Sequence, residues 1–484
     1  VSTTKEQQGV IFDLSMHLSK MLRANAMLIV GSIAWWTSHY SLLWNPQITA
    51  AYSFSGGFDI RFMLTILGTV ISLAVMMFVA RRSSDLEFAD HLYPYIAFAV
   101  LTVLAVCLMA APIYIGIGSY VGMAGALLSG LGNAFMLIVY GELHARLGYR
   151  FLPIIFAIEV ASGVAIFVLL SQTPHVVQIA AIAVFALISA IILVTYARAS
   201  KDGCTDLDNP AIRIDMTVGQ FAVLATLAGF TYGLVRTFAI GTPNDMGIHI
   251  GMESECLGSL LSALLLIVVF CLQKRQSLFE QCLLFVVPLL ATGMLLVSLQ
   301  DVSVVVPAAI NTVGFACFFN LIWYFATILE TNTQYHVTFL MALLFLVCQM
   351  AQLVGAMVPI RFSSAVSGGL IYLFLLASIL LMYIRTKAPR PVSQTMIVSD
   401  ASTLDSADQK SNEMHAWEQH FDLSPREAEV AMLLMKRTPY KQISAQLFVS
   451  ENTVKTHVRN IYRKTDVSSR EELLEKLRDI AKNG

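Results

Sequence analysis

The stretch VVQIAAIAVFALISAIILVTYA, residues 176–197, decides the architecture of most of this chain. It carries no charged side chain, and as a helix rising 1.5 Å per residue it reaches about 33 Å, enough to cross roughly 30 Å of hydrocarbon. A backbone in lipid must satisfy its own hydrogen bonds, and this run is too long and too uniformly apolar for a barrel strand, so it reads as a transmembrane helix. Comparable runs lie near 26–44, 62–80, 94–112, 118–140 and 151–170 before it, and near 217–240, 254–273, 279–299, 303–329, 337–360 and 367–384 after it. The composition agrees: 57% hydrophobic and 13% charged residues, against about half and about a quarter in a soluble domain. The first run lacks a small-residue cleavage site and eleven further spans follow it, so it reads as a retained helix rather than a secretory signal. The expected body is an all-α, polytopic bundle of about twelve spans over residues 26–385, preceded by an N-terminal segment, 1–25.

Basic residues are held on the cytoplasmic side of a membrane, so their distribution over alternate loops sets the orientation. With both termini cytoplasmic, the inner set is Lys5, Lys20, Arg23, Arg81, Arg82, Arg146, Arg150, Arg198, Lys201, Arg213, Lys274, Arg275, Arg385, Lys387 and Arg390. The outer set is only Arg61 and Arg361, and Asp245, Glu253 and Asp301 leave two outer loops purely acidic. The expected arrangement is therefore multi-pass, with both ends inside the cell. Cys107, Cys256, Cys271, Cys282, Cys317 and Cys348 lie in or beside apolar runs without paired spacing, which argues against a disulfide framework and against a metal site.

The break of about nineteen residues between spans six and seven divides the bundle into two sets of six. This plan resembles the major facilitator fold, in which two helical halves face each other across a central cavity. The resemblance is architectural: where those transporters carry a Gly-Asp-Arg-Gly-Arg-rich signature between spans two and three, this chain has Arg81-Arg82-Ser83-Ser84-Asp85. Gly116, Gly118 and Gly122 lack the spacing and the preceding strand of a nucleotide loop, and read as small residues for close helix packing. Ionisable groups are costly in lipid, so Glu159 in span five and Arg236 in span seven are candidates for a mutual ion pair or for holding the charged end of a small molecule. Asn133, Asn320, Gln349 and Gln352 read as helix–helix hydrogen-bonding residues, and Trp35, Trp36 and Trp323 as cavity or membrane-face aromatics.

After the last span the composition changes. Residues 386–415, with Pro389, Pro391 and a run of Ser, Asp, Thr and Gln, have little to bury and read as a flexible linker with about 30 Å of reach. A compact domain is expected over 416–484. Ser424-Pro425-Arg426-Glu427 combines a capping serine, proline at the first helical position and glutamate three residues after the cap, so it starts a helix, buried through Val430, Ala431, Leu433 and Leu434. Thr438-Pro439 starts a second, with Ile443 and Leu447 on one side. Ser450 caps a third, in which Val454, Val458 and Ile461 form one stripe, so that Lys455, Thr456, Arg459 and Arg463 project elsewhere. Ser469 and Glu472 open a fourth, with Leu473, Leu474, Leu477 and Ile480 buried.

Four short helices with a basic third describe a helix-turn-helix. Leu423-Ser424-Pro425-Arg426-Glu427, Val449-Ser450-Glu451-Asn452-Thr453-Val454-Lys455-Thr456-His457 and Val467-Ser468-Ser469-Arg470 closely resemble the LuxR-type (GerE-like) DNA-binding domain over roughly 418–482. The resemblance implies that Lys455, Thr456 and Arg459 face base edges of duplex DNA. It also implies that Thr453, His457 and Lys464 touch or lie near phosphates, and Lys441, Ser450 and Arg463 are assigned to the backbone with them. The fourth helix, through Leu473, Leu474, Leu477 and Ile480, is expected to pair two copies, since two half-sites need two domains. Thr465 stands where the family usually has Leu and should loosen packing beside the recognition helix; Ser444 replaces a usual Ala. From Ala401 onward thirteen basic residues balance thirteen acidic ones, so affinity must come from the local basic face and from pairing.

The sequence holds no HExxH, nucleophile elbow or phosphate loop, so an enzyme is not expected, nor is a cofactor. A membrane-tethered transcription regulator accounts for both parts of the chain. Its expected partners are duplex DNA, the bilayer, a small-molecule ligand of unidentified class and a second copy, with RNA polymerase as a further candidate. The alternative is a major-facilitator-type transporter with a fused regulatory domain.

Overall fold

The computed structural model describes residues 18–45, 48, 59–83, 86–116, 118–200, 217–240, 246–272, 282–297, 305–330, 335–358, 369, 373, 375–378, 417, 420–421, 423–435, 451–467, 472–473 and 476. It divides into two compact units, Val1–Pro391 and Val392–Gly484.

The first unit is a helical bundle. Its helices are α1 (Ala26–Trp44), α2 (Ile60–Arg82), α3 (Tyr93–Tyr114), α4 (Ser119–Ala145), α5 (Leu152–Leu170) and α6 (His175–Ala199), then α7 (Val218–Ile240), α8 (Met246–Leu272), α9 (Val287–Val297, entered through a π-helical turn at Cys282–Val286), α10 (Val305–Glu330) and α11 (Val337–Ala356). Among the described residues, nine helices are long and apolar enough to cross a membrane; α1 and α9 are not among them. The segment expected as a twelfth span, 367–384, lies mostly outside the described residues. The shortfall at α1 has a physical cause. It carries Trp35, Trp36, Thr37, Ser38, Tyr40 and Ser41 buried inside the bundle, so its polarity serves the interior rather than lipid.

The packing repeats with a shift of six helices. In the first half α2 packs on α4, α3 on α4 and α1 on α5; in the second, α8 packs on α10, α9 on α10 and α7 on α11. The halves meet through α2 with α11 and α5 with α8, two pairings that exchange when six is added to or taken from each number. Such a pattern defines two structural repeats around a central interface.

Small residues bring these helices together. A Cβ on Gly130 would fall on the Thr65 carbonyl of α2, and one on Gly68 would fall on the Leu127 carbonyl of α4. The close approach lets Thr69 Oγ1 donate to Gly130 O (3.2 Å) and Ser72 Oγ to Leu131 O (3.0 Å), the small-residue packing that lipid favours where the hydrophobic effect gives no preference. Gly229, Gly233 and Gly355 do the same between α7 and α11. Gly116 has a different role from the packing one expected: at φ 73°, with open space where a Cβ would stand, it turns the chain after α3.

Arg61, counted above with the outer loops, is 1% exposed. Its guanidinium donates to Leu42 O (2.9 Å) and Leu43 O (2.7 Å), carbonyls of the last turn of α1. A cation there satisfies orphan acceptors and complements the helix dipole, so this exception to the charge asymmetry is a cap.

In the second unit, α12 (Pro425–Met435) and α13 (Glu451–Thr465) pack together. Trp417, Leu423, Val430, Ala431, Leu434, Val458, Ile461 and Leu473 form its core.

Candidate functional site

Between the two halves of the bundle lies a cavity of about 80 Å³. Trp36, His39, Tyr40 and Trp44 of α1, Phe62 and Thr65 of α2 and Asn133 of α4 line it from the first half. Tyr232 of α7, Glu255 of α8, Phe315, Phe319 and Asn320 of α10, and Gln349 and Gln352 of α11 line it from the second. Asn133 takes a hydrogen bond from Trp35 Nε1 (3.2 Å), so it does act between helices. Asn320, Gln349 and Gln352 differ: the side-chain oxygen of each is buried without a partner among the described residues.

Contacts between the halves bound this cavity along the bundle. Toward the α1–α2 connection, Arg236 of α7 donates to Asp59 Oδ2 (3.3 Å), the residue that caps α2 through Phe62 N (2.9 Å). The Arg236 guanidinium lies 3.7 Å from the ring centroids of both Trp44 and Phe62, a cation between two π faces. Its Nε and Nη1 have no hydrogen-bond partner among the described residues. Within the second half Glu255 accepts from Tyr232 Oη (2.9 Å) and Thr312 Oγ1 (3.3 Å), while across the halves Tyr40 Oη of α1 donates to Ser259 Oγ of α8 (3.0 Å). Toward the α4–α5 connection, Trp323 Nε1 of α10 donates to Leu137 O of α4 (2.9 Å). There Glu142, 1% exposed, accepts from Thr338 Oγ1 of α11 and from Ala89 N. Arg146 bridges Glu87 and Asp90 just beyond.

Glu159 and Arg236, offered from sequence as a mutual pair or a joint ligand site, have separate partners. Glu159 accepts from Tyr140 Oη and shares a hydrogen bond with His144 Nε2 (3.0 Å). His144 Nδ1 faces the Tyr140 carbonyl (2.7 Å), which can only accept, so that nitrogen carries a proton. One proton then lies between His144 and Glu159, and the pair is neutral overall. Arg236 is held by Asp59. The separation follows from helix geometry. Glu159 lies in the second turn of α5 and Arg236 near the far end of α7; spans that alternate in direction make odd-numbered helices run the same way, which puts about 16 Å of rise between them.

In the second unit, the start of α12 is a reciprocal cap. Ser424 Oγ accepts from Glu427 N (3.3 Å), and Glu427 Oε2 accepts from Ser424 N (2.9 Å). The same carboxylate takes a hydrogen bond from Lys464 Nζ (2.8 Å). Partial burial pushes the Glu427 carboxyl up, but Lys464 and the Ser424 donors outweigh it and hold the group below the usual carboxylate range. Lys464 thus ties α13 to the first turn of α12.

On α13, Val458, Ile461 and Thr465 are buried, while Thr456, Arg459 and Arg463 are exposed and His457 is half-buried. The basic side chains therefore leave the domain on one face. Thr465 loosens less than its size suggests, because its hydroxyl donates to Ile461 O (2.8 Å) and leaves no orphan. Asp466, at φ 50°, lets Val467 N reach Tyr462 O (3.0 Å) and closes the helix. Leu473, expected to pair two copies, is fully buried in the core of its own unit, so it has no surface to offer a partner. The side chains of Thr453 and Lys455, and residues Lys441, Ser450, Leu474, Leu477 and Ile480, lie outside the described residues, as does the linker.

Sequence reasoning missed Glu142 because the fourth span was ended at 140. It missed Glu255 because Glu253 beside it reads as loop, and Asp59 because it precedes its span. Trp417, at the heart of the second unit, had no periodic neighbour to announce it.

The fold and these sites define a polytopic, major-facilitator-like helical bundle joined in one chain to a LuxR-type helix-turn-helix domain. Residues 422–477 match the family described as bacterial regulatory proteins, luxR family. The chain is 50% identical over 48 residues to the nitrate/nitrite response regulator protein homolog of Haemophilus influenzae, a match covering 10% of this chain and 23% of that protein. The bundle is similar in fold to the human organic anion transporter MFSD10 (TETRAN), with a TM-score of 0.53 and 12% identity over 75% of this chain and 99% of that one. It is similar also to the major facilitator superfamily proton:xylose symporter XylE, with a TM-score of 0.53 and 9% identity over 76% of this chain and 96% of that one. At such identities the likeness is one of fold.

Proposed function

We propose that this chain is a bacterial transcription regulator tethered to the inner membrane, with both ends in the cytoplasm, that binds promoter DNA through α13 under the control of a small molecule held in the bundle. Thr456 and Arg459, with Lys455, read base edges in the major groove; Arg463, His457, Thr453, Ser450 and Lys441 meet the backbone. Two copies occupy two half-sites, and RNA polymerase is the downstream contact. The bundle acts as a two-state element. A ligand that fits one packing of the halves better than the other shifts their equilibrium by its differential affinity, and the shift alters pairing of the DNA-binding domains.

The observation that carries this reading is the presence, in one chain, of an interior cavity lined by unpartnered polar atoms and a LuxR-type domain with its basic helix face exposed. Genomic footprinting of the native protein, with and without candidate small molecules, tests binding and sensing together. Promoter-restricted protection that changes with a compound is the expected result. Protection indistinguishable from random duplex, or a carboxyl end accessible from outside intact cells, overturns it. The likeness in fold to transporters favours one second reading, a transporter with a fused regulatory domain; ligand uptake into proteoliposomes separates the two.

A further inference from the structure

Three amide oxygens line the cavity without a donor among the described residues: Asn320 Oδ1 on α10, and Gln349 Oε1 and Gln352 Oε1 on α11. Their residues are 1%, 9% and 4% exposed. The Asn320 amide is fixed in direction, because its Nδ2 donates to Ala316 O (2.8 Å). Buried acceptors are almost always satisfied in folded proteins, and three unsatisfied in one cavity call for a guest that supplies donors. No Lys or Arg stands among its described lining residues, and the acidic one, Glu255, already accepts from Tyr232 and Thr312, so the lining fits a guest without net charge. Much of the remaining lining is ring faces, including Trp36, Tyr40, Phe62, Tyr232 and Phe315, which favour a guest with a flat apolar face. A volume of about 80 Å³ is below the roughly 150 Å³ that takes benzene, so the guest is limited to one ring and the halves must part slightly to admit it.

We infer that this cavity binds a small, net-uncharged ring compound bearing two or more hydroxyl groups, which donate to Asn320, Gln349 and Gln352 while the ring stacks on the aromatic lining. The inference rests on the sensor reading for its choice of cavity. Monosaccharides and hydroxylated benzenes share this chemistry, and the test distinguishes them.

Full-length protein in lipid nanodiscs is titrated calorimetrically with D-glucose, resorcinol, toluene and benzoate. One hydroxylated probe binds, D-glucose assigning the saccharide source and resorcinol the phenolic one, while toluene and benzoate bind at least about tenfold more weakly. Gln349→Met and Gln352→Met each weaken that binding about tenfold, the loss of one hydrogen bond. They leave the melting temperature of the free protein unchanged or raised, because each removes an unpaired buried acceptor. Toluene or benzoate binding as well as both hydroxylated probes, or both methionine variants binding unchanged, overturns the inference. Promoter occupancy is followed in parallel. Binding with the expected pattern but no change in occupancy leaves the ligand class standing and sinks the sensor reading. Occupancy that answers to benzoate while neither hydroxylated probe binds does the reverse.

Discussion

Replacing Ser424 by alanine removes the side-chain acceptor at the start of α12 and should cost about 1 kcal/mol, read as faster amide exchange across Pro425–Met435 in the full chain. The pH dependence has a definite sign. The Glu427 carboxyl lies below its ordinary value of 4.5 in the folded unit, so its contribution is complete above that value and is lost as pH falls through the depressed one. Glu427→Gln should abolish that acid-side loss, measured by the same exchange between neutral and acidic pH. At the DNA face, Arg459→Ala should weaken specific promoter binding by about 1–3 kcal/mol and relax base preference. Arg463→Ala should weaken binding to all duplexes alike and flatten the salt dependence. In the bundle, Asp59→Asn removes the carboxylate facing Arg236 and leaves a buried guanidinium without its ion-pair partner. Breaking a buried pair on one side costs about 3–5 kcal/mol, so a large fall in melting temperature is expected in nanodiscs.

Among the helices, the α2–α4 contact is the least tolerant of added volume. A methyl group at Gly130 meets the Thr65 carbonyl, backbone rather than a flexible side chain, so Gly130→Ala must push the helices apart. The cost should be about 1–3 kcal/mol, and the yield of monodisperse protein should fall below that of an alanine at Gly219, where a Cβ meets nothing nearer than Thr217 Oγ1 at 4.0 Å. The helices were legible in sequence to different depths. Val176–Ala197 announced α6 by apolar length alone, and the structure places that helix at His175–Ala199. The start of α12 was legible because capping is local chemistry, written in four consecutive residues. Leu473 was readable as buried but not as buried within its own unit, because periodicity gives a face and not what covers it.

Across the whole bundle, the cavity is bounded by contacts that join the halves: Arg236 with Asp59 toward one end, Glu142 with Thr338 toward the other. If alternation of these contacts carries the signal, fixing one must uncouple sensing from DNA binding. A disulfide formed in the double variant Glu142→Cys and Thr338→Cys should abolish the response of promoter occupancy to an inducer. Occupancy without inducer and its salt dependence should persist, and reduction should restore the response.

By itself the sequence determined the lipid-embedded helical body and the LuxR-type domain after it. These rest on apolar run length and on contiguous motifs, both local along the chain. Only the tertiary structure decided which buried ionisable groups meet. It set Glu159 with His144 and Tyr140, Arg236 with Asp59 and two aromatic rings, and Arg61 on the carbonyls of α1. The reason is distance along the chain: Asp59 and Arg236 are 177 residues apart, and nothing in either neighbourhood encodes the register at which two half-bundles close on each other.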